Sequence, residues 1–250
     1  MAQELPRRTN FSGPPLIRLL SRLLDADVQE PGQLLPDRLS QWLGWTHAID
    51  LASALGASPA AGGRTDSARQ DIAEAEQDCA RVRAMLERAI AGLGEPAPAR
   101  ARARPKAAIP RDARHVPPVE YSIYRQRYVS LQQNMESAIT GLRARLRGML
   151  ASGSPGSARL AVLDAVMEQA LNEREYELLS AVPGLLEQRF LRLRPAGSGA
   201  EEEGVPEQPP ASGDWLGVFC KDMQSVLSAE LDLRLQPVEG LLGALRADRP

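Results

Sequence analysis

The sequence predicts an all-α protein: an antiparallel bundle of long helices with an N-terminal helical hairpin and flexible Pro/Ala/Arg-rich linkers. Three observations predict it. Leu (35 residues) outnumbers Val and Ile together (19), and aromatic residues make up only 4% of the chain, a balance that favours helices over strands. Apolar residues recur at steps of three and four over several long stretches. Nothing reads as a strand. The 250 residues suffice for one or two domains with a real core.

Pro14 and Pro15 open the first helix, where a missing N–H does no harm, and Leu16, Leu19, Leu20, Leu23 and Leu24 form its apolar face. After the Pro31–Gly32 break a second helix offers Leu35, Leu39, Trp42, Leu43, Ile49 and Leu55 as candidate core. These two would pair as a hairpin over residues 1–56. The segment 57–117 holds a polar helix, about 66–93, between linkers rich in Gly, Ala, Pro and Arg. Its narrow stripe, Ile72, Ala75, Cys79, Val82, Leu86 and Ile90, suits a coiled-coil seam or a helix resting on one neighbour.

Residues 118–250 form the long-helix bundle. From Glu120 to Leu150 the residues Tyr124, Tyr128, Leu131, Met135, Ala138, Leu142, Leu146 and Met149 make a nearly heptad seam on a helix of about 45 Å. Ser152–Gly156 ends it. The next helix, Ser157 to Arg194, turns Leu160, Leu163, Val166, Met167, Leu171, Leu178, Val182, Leu185 and Leu193 inward and should bend or split at Pro183. An acidic, Pro-rich loop, 195–213, precedes the last helix. Asp214 is its candidate N-cap, Trp215, Phe219, Met223, Val226, Leu227 and Leu231 its seam, and Pro237 its interruption.

Charge is unevenly distributed. Residues 99–150 carry eleven Arg/Lys against three acids, and residues 201–250 carry ten acids against four bases. Arg100, Arg102, Arg104 and Lys106 in the linker, with Arg143, Arg145 and Arg147 near a helix end, are the candidate anion-binding residues. The bland reading competes: Arg near a helix C-terminus suits the macrodipole, and an Arg-rich, Lys-poor composition also follows from a GC-rich coding sequence. The Arg-rich region lacks the interleaved aromatics of a single-strand binder.

Catalytic and metal signatures are missing. His47 and Asp50 stand three apart on a helix but have no nucleophile elbow to serve, and His115 lies in the linker. Glu173, Glu175 and Glu177 point around their helix, no Glu-x-x-His pair occurs, and no phosphate-binding glycine motif is present. No catalytic residue, metal or cofactor is assigned, and no enzyme is expected. Cys79 and Cys220 are expected to be reduced thiols, and the lack of a signal peptide or apolar span points to the cytoplasm.

The segments RTNFSGPPLIRLLSRL (8–23), LSQWLGWTHAIDLASAL (39–55), YRQRYVSLQQNMESAI (124–139), LDAVMEQALNEREYELLSAVPGLLEQRF (163–190) and VFCKDMQSVLSAELDLRLQPVEGLL (218–242) resemble an uncharacterised bacterial family of all-helical proteins, a domain of unknown function. The resemblance implies a Gram-negative source and a role beside a membrane-embedded assembly. It implies no catalytic residue. The expected function is a non-enzymatic scaffold or adaptor working through helix–helix contacts with a protein partner or a second copy. In that reading the 66–93 helix is a docking arm with Ile72, Cys79, Val82, Leu86 and Ile90 as its seam. The alternative is an electrostatic nucleic-acid or anionic-membrane binder acting through the Arg-rich 99–147 region, peripheral to any membrane and not integral to it.

Overall fold

The computed structural model describes residues 13–26, 35–56, 68–94, 119–195 and 215–248, and the structural statements below concern those residues. Every regular element among them is helical: α1 (Pro15–Leu24), α2 (Leu35–Trp42), α3 (Trp45–Gly56), α4 (Ala68–Ala91), α5 (Tyr121–Ala151), α6 (Pro155–Ser180), α7 (Val182–Leu193) and α8 (Trp215–Ala247). A 3-10 turn, Gly92–Gly94, closes α4. The linkers, Pro31–Gly32, Asp214 and His115 lie outside the described residues.

Local chemistry sets the ends. α6 starts with Pro15's counterpart, Pro155, in its first turn, and the Ser154 hydroxyl accepts from the Ser157 N–H, the N-cap arrangement. α1 stops at Asp25, whose φ of 49° lies in the left-handed region. Arg192 of α7 donates to the Leu23 and Leu24 carbonyls there, satisfying acceptors the helix end leaves open. Pro183 splits the helix expected over 157–194: α6 ends at Ser180, Ala181 turns, and α7 resumes with Pro183 in its first turn.

α4, α5, α6 with α7, and α8 run alternately down and up. Arg145 of α5 reaches Asp78 in the middle of α4, and Arg127, earlier on α5, reaches the Leu93 carbonyl just past the α4 C-terminus, so those helices are antiparallel. α5 and α8 are parallel: Tyr124 meets Phe219 at one end, Tyr128 meets Glu230, and the Ser154 N–H donates to Asp248 at the other. The α5–α8 pair forms the spine. α4 packs on one side of it and α6 with α7 on the other, while α1 rests on α7 and α8. The core runs along the spine through Tyr128, Met135, Leu146, Phe219, Val226 and Leu227. One end is closed by tilted and edge-on contacts among Tyr121, Tyr124, Phe190, Phe219 and Trp215.

Four expectations are corrected. The second N-terminal helix is two helices, because Gly44 ends α2's run and the Ala48 N–H restarts the ladder on the Gly44 carbonyl. α1 does not form a hairpin with them: its leucine face buries on α7 and α8, while α2 and α3 pack on α6. Pro237 does not interrupt α8, since buried Leu235, Val238 and Leu241 hold the helix on both sides of the missing N–H. On α6 the buried residues are Ser157, Ala158, Ala161, Ala170 and Leu179, whereas Leu160 and Leu178 are exposed (36% and 54%). Small side chains and ion pairs, not the leucine stripe, face α5, because Asp164 and Glu168 must meet Arg143 and Arg147 there.

Candidate functional site

The seam of α4 is spent inside the chain. Ile72, Leu86 and Ile90 are buried, Cys79 and Val82 are half-buried against the same core, and α4 packs on α5 and α8. Polar though α4 is, its charges bind it down: Arg83 bridges Asp232 (3.0 Å) and Glu239 (2.7 Å), and Arg246 holds Glu76 (2.7 Å). The expected docking arm is therefore a wall of the bundle. Its narrow stripe is the face it lays against α5 and α8.

The basic helix end is likewise engaged. Arg143 makes a two-pronged contact with Asp164 (2.7 and 3.3 Å) and reaches Glu168 at 3.3 Å. Arg147 bonds Asp164 at 2.9 Å and Glu168, and Arg145 pairs with Asp78. These guanidiniums clamp α5 to α6 and α4, so they offer no free anion site. Arg100, Arg102, Arg104 and Lys106 lie outside the described residues. Among the described residues no hydrogen bond or ion pair joins His47 to Asp50, and no three His, Cys, Asp or Glu side chains are grouped to hold a metal. Both cysteines are free thiols, and burial pushes each one's pKa up.

Three features remain that sequence reasoning did not single out. The first is a buried polar chain across the spine. Glu230 of α8 is 0% exposed, yet its carboxylate accepts from the Tyr128 hydroxyl (2.8 Å), the Gln132 amide (3.1 Å to each oxygen) and Arg234 (3.0 Å). Gln132 also donates to the Leu179 carbonyl (3.1 Å), and Arg234 bonds Glu175 of α6 (3.0 Å). Each charge thus has partners, as burial demands. Burial, then the Glu230 charge and hydrogen bond, hold the Tyr128 phenol far above its ordinary pKa. A signal existed: Glu230 falls four residues after Val226, in a slot of the α8 seam, with Arg234 one turn on.

The second is a cleft of about 470 Å³ where α5, α6 and α8 diverge, with Trp42 of α2 at its edge. Its volume lies in the range of small-molecule sites. The apolar wall is made by Ile139, Met167, Leu171, Leu178 and Leu233, including α6 leucines that the core does not use. Arg174 lies over the Trp42 ring at 5.8 Å and pairs with Glu177 (2.7 Å). Pro237 also lines the cleft, and without an N–H it cannot bond the Leu233 carbonyl one turn back. Glu136 of α5 lines it too, half-buried and with no hydrogen bond or ion pair.

A third feature is on the outer surface. α3 carries one charged residue, Asp50, in twelve, and exposes Trp45 (83%), Ile49 (52%) and Leu55. Trp45 and Ile49 are one turn apart and share a face. Sequence periodicity had placed Ile49 and Leu55 in the core; the structure turns them to solvent, because α3 is a short outer helix that α6 covers on one side, where Ala54 is buried.

Among the described residues no helix is long and apolar enough to cross a membrane. No curated protein and no solved structure matches the chain. The chain belongs to the family described as a protein of unknown function (DUF3348), which matches residues 1–247.

Proposed function

We propose that this protein is a non-enzymatic helical adaptor that receives an amphipathic helix of a partner protein on the outer face of α3. One observation carries the reading: a surface helix with a single charge that presents Trp45 and Ile49 to solvent. Solvated helices normally carry charges on their outer face. Charge depletion with an exposed aromatic anchor is instead the composition of an interface centre. A rigid four-layer bundle behind it, tied by ion pairs, holds that face in place. The seam of α4 no longer supports docking, so α3 replaces it as the contact element. A cytoplasmic setting beside a membrane-embedded assembly, with α3 as the contact, is consistent with this reading.

Of the seven candidate anion-binding residues the electrostatic alternative retains Arg100, Arg102, Arg104 and Lys106, since Arg143, Arg145 and Arg147 are internally paired. The test places a photo-crosslinking residue at position 45 and, as a control, at position 232 of the exposed α8 face. A partner captured from 45 and not from 232 is then purified, and its affinity is measured with the W45S/I49S variant. Loss of about 30-fold or more supports the adaptor reading, the weight of a buried aromatic anchor. Capture equal at both positions, capture of a second copy only, or an unchanged affinity would overturn it.

A further inference from the structure

The cleft between α5, α6 and α8 differs in character from the α3 face: it is partly open to solvent, mixed in polarity, and lined by one more carboxylate than guanidinium. Four carboxylates line it, of Glu136, Asp164, Glu168 and Glu175, against three guanidiniums, of Arg143, Arg174 and Arg234. Three of those carboxylates are bonded to guanidiniums. The fourth, Glu136, makes no hydrogen bond or ion pair among the described residues and lines the cleft half-buried, where screening by water is reduced. Across from α5, the Leu233 carbonyl lacks its helical donor because residue 237 is proline. Two acceptors, one of them anionic, therefore border an apolar wall of Met167, Leu171 and Leu178, and among the described residues the guanidiniums of the cleft, Arg143, Arg174 and Arg234, are bonded to other carboxylates.

We infer that this cleft binds an amphipathic organic monocation: an ammonium head against Glu136 and the Leu233 carbonyl, with an apolar body along the α6 leucines. The unpaired Glu136 carboxylate selects against anions. The apolar wall selects against a bare metal ion, which would want more oxygen ligands than these two. An ammonium donates three hydrogen bonds from one point, which two acceptors and a water can satisfy. The site is independent of the α3 face, so either can fail alone.

The experiment titrates the isotopically labelled full chain with phenethylammonium and, separately, with 2-phenylethanol, and follows backbone amide shifts. The two probes share shape and differ in charge. The amine is expected to shift the amides of residues 136, 140 and 233 and to bind about tenfold more tightly than the alcohol, with that preference lost in Glu136→Gln. Glu136 has no partner among the described residues, so the variant should melt with the parent protein. Equal binding of amine and alcohol to the parent protein, an unchanged preference in Glu136→Gln, or no shift at these positions with millimolar amine would overturn the assignment.

Discussion

Replacing Tyr128 by Phe removes a single hydroxyl from the centre of the spine. That hydroxyl donates to Glu230 at 2.8 Å, and both residues are fully buried. A hydrogen bond to a buried charged group contributes about 1.5–3 kcal/mol. Glu230 keeps Gln132 and Arg234 after the substitution, so the cost stays below the roughly 3–5 kcal/mol of a buried charge stripped of its partner. We expect Tyr128→Phe to destabilise by about 2 kcal/mol, read as a lower urea midpoint at constant slope in far-UV circular dichroism. In a Glu230→Met background the phenol has already lost its acceptor. There the same Tyr128→Phe change should be neutral or stabilising, giving a coupling of about 2 kcal/mol in the double-mutant cycle. An equal cost in both backgrounds would refute the claim that this hydroxyl serves the carboxylate, as would a cost below about 0.5 kcal/mol in the parent protein.

The other expectations are narrower. Leu86→Ala should cost about 2–5 kcal/mol because Leu86 is fully buried, while its neighbour Met85, exposed on the same helix, should tolerate Ala within about 0.5 kcal/mol; similar losses from both, in denaturant melts, would mean that α4 does not pack as a wall. Pro237→Ala should stabilise by about 1–3 kcal/mol, since it restores a helical donor to the Leu233 carbonyl; a lower melting temperature would show that the proline ring is needed where it packs. Alkaline pH should weaken the fold, with the sign set by the phenols: burial first, then the Glu187 charge, push Tyr121 up to about 12 from the ordinary 10.0. Because the folded state holds that proton more tightly, its stabilisation is whole below pH 10.0 and declines as pH rises towards 12. Denaturation midpoints flat across that window would count against a buried phenol, as would tyrosine absorbance that titrates alike in native and unfolded protein.

The helical class, the length of α5, the Ser152–Gly156 turn and the split at Pro183 are written in local chemistry: leucine spacing, a serine cap, and prolines that cannot donate. Local chemistry also placed the α4 stripe correctly on one face. Periodicity says which face is apolar but not which surface covers it, so the stripe read as a seam for a partner when α5 and α8 were waiting to receive it. The same blindness turned Ile49 and Leu55 inward, and it took the leucines of α6 for core when that helix meets α5 through alanines and ion pairs. Least legible were the charges. Glu230 is tolerable at full burial only because Tyr128 and Gln132 arrive from a helix about a hundred residues earlier in the chain. Glu136 is exceptional only because no guanidinium among the described residues arrives. Propensity and spacing act within a few residues and so determined the rods; the pairing of charges and the shape of the cleft depend on which rods become neighbours, and that only tertiary packing decided.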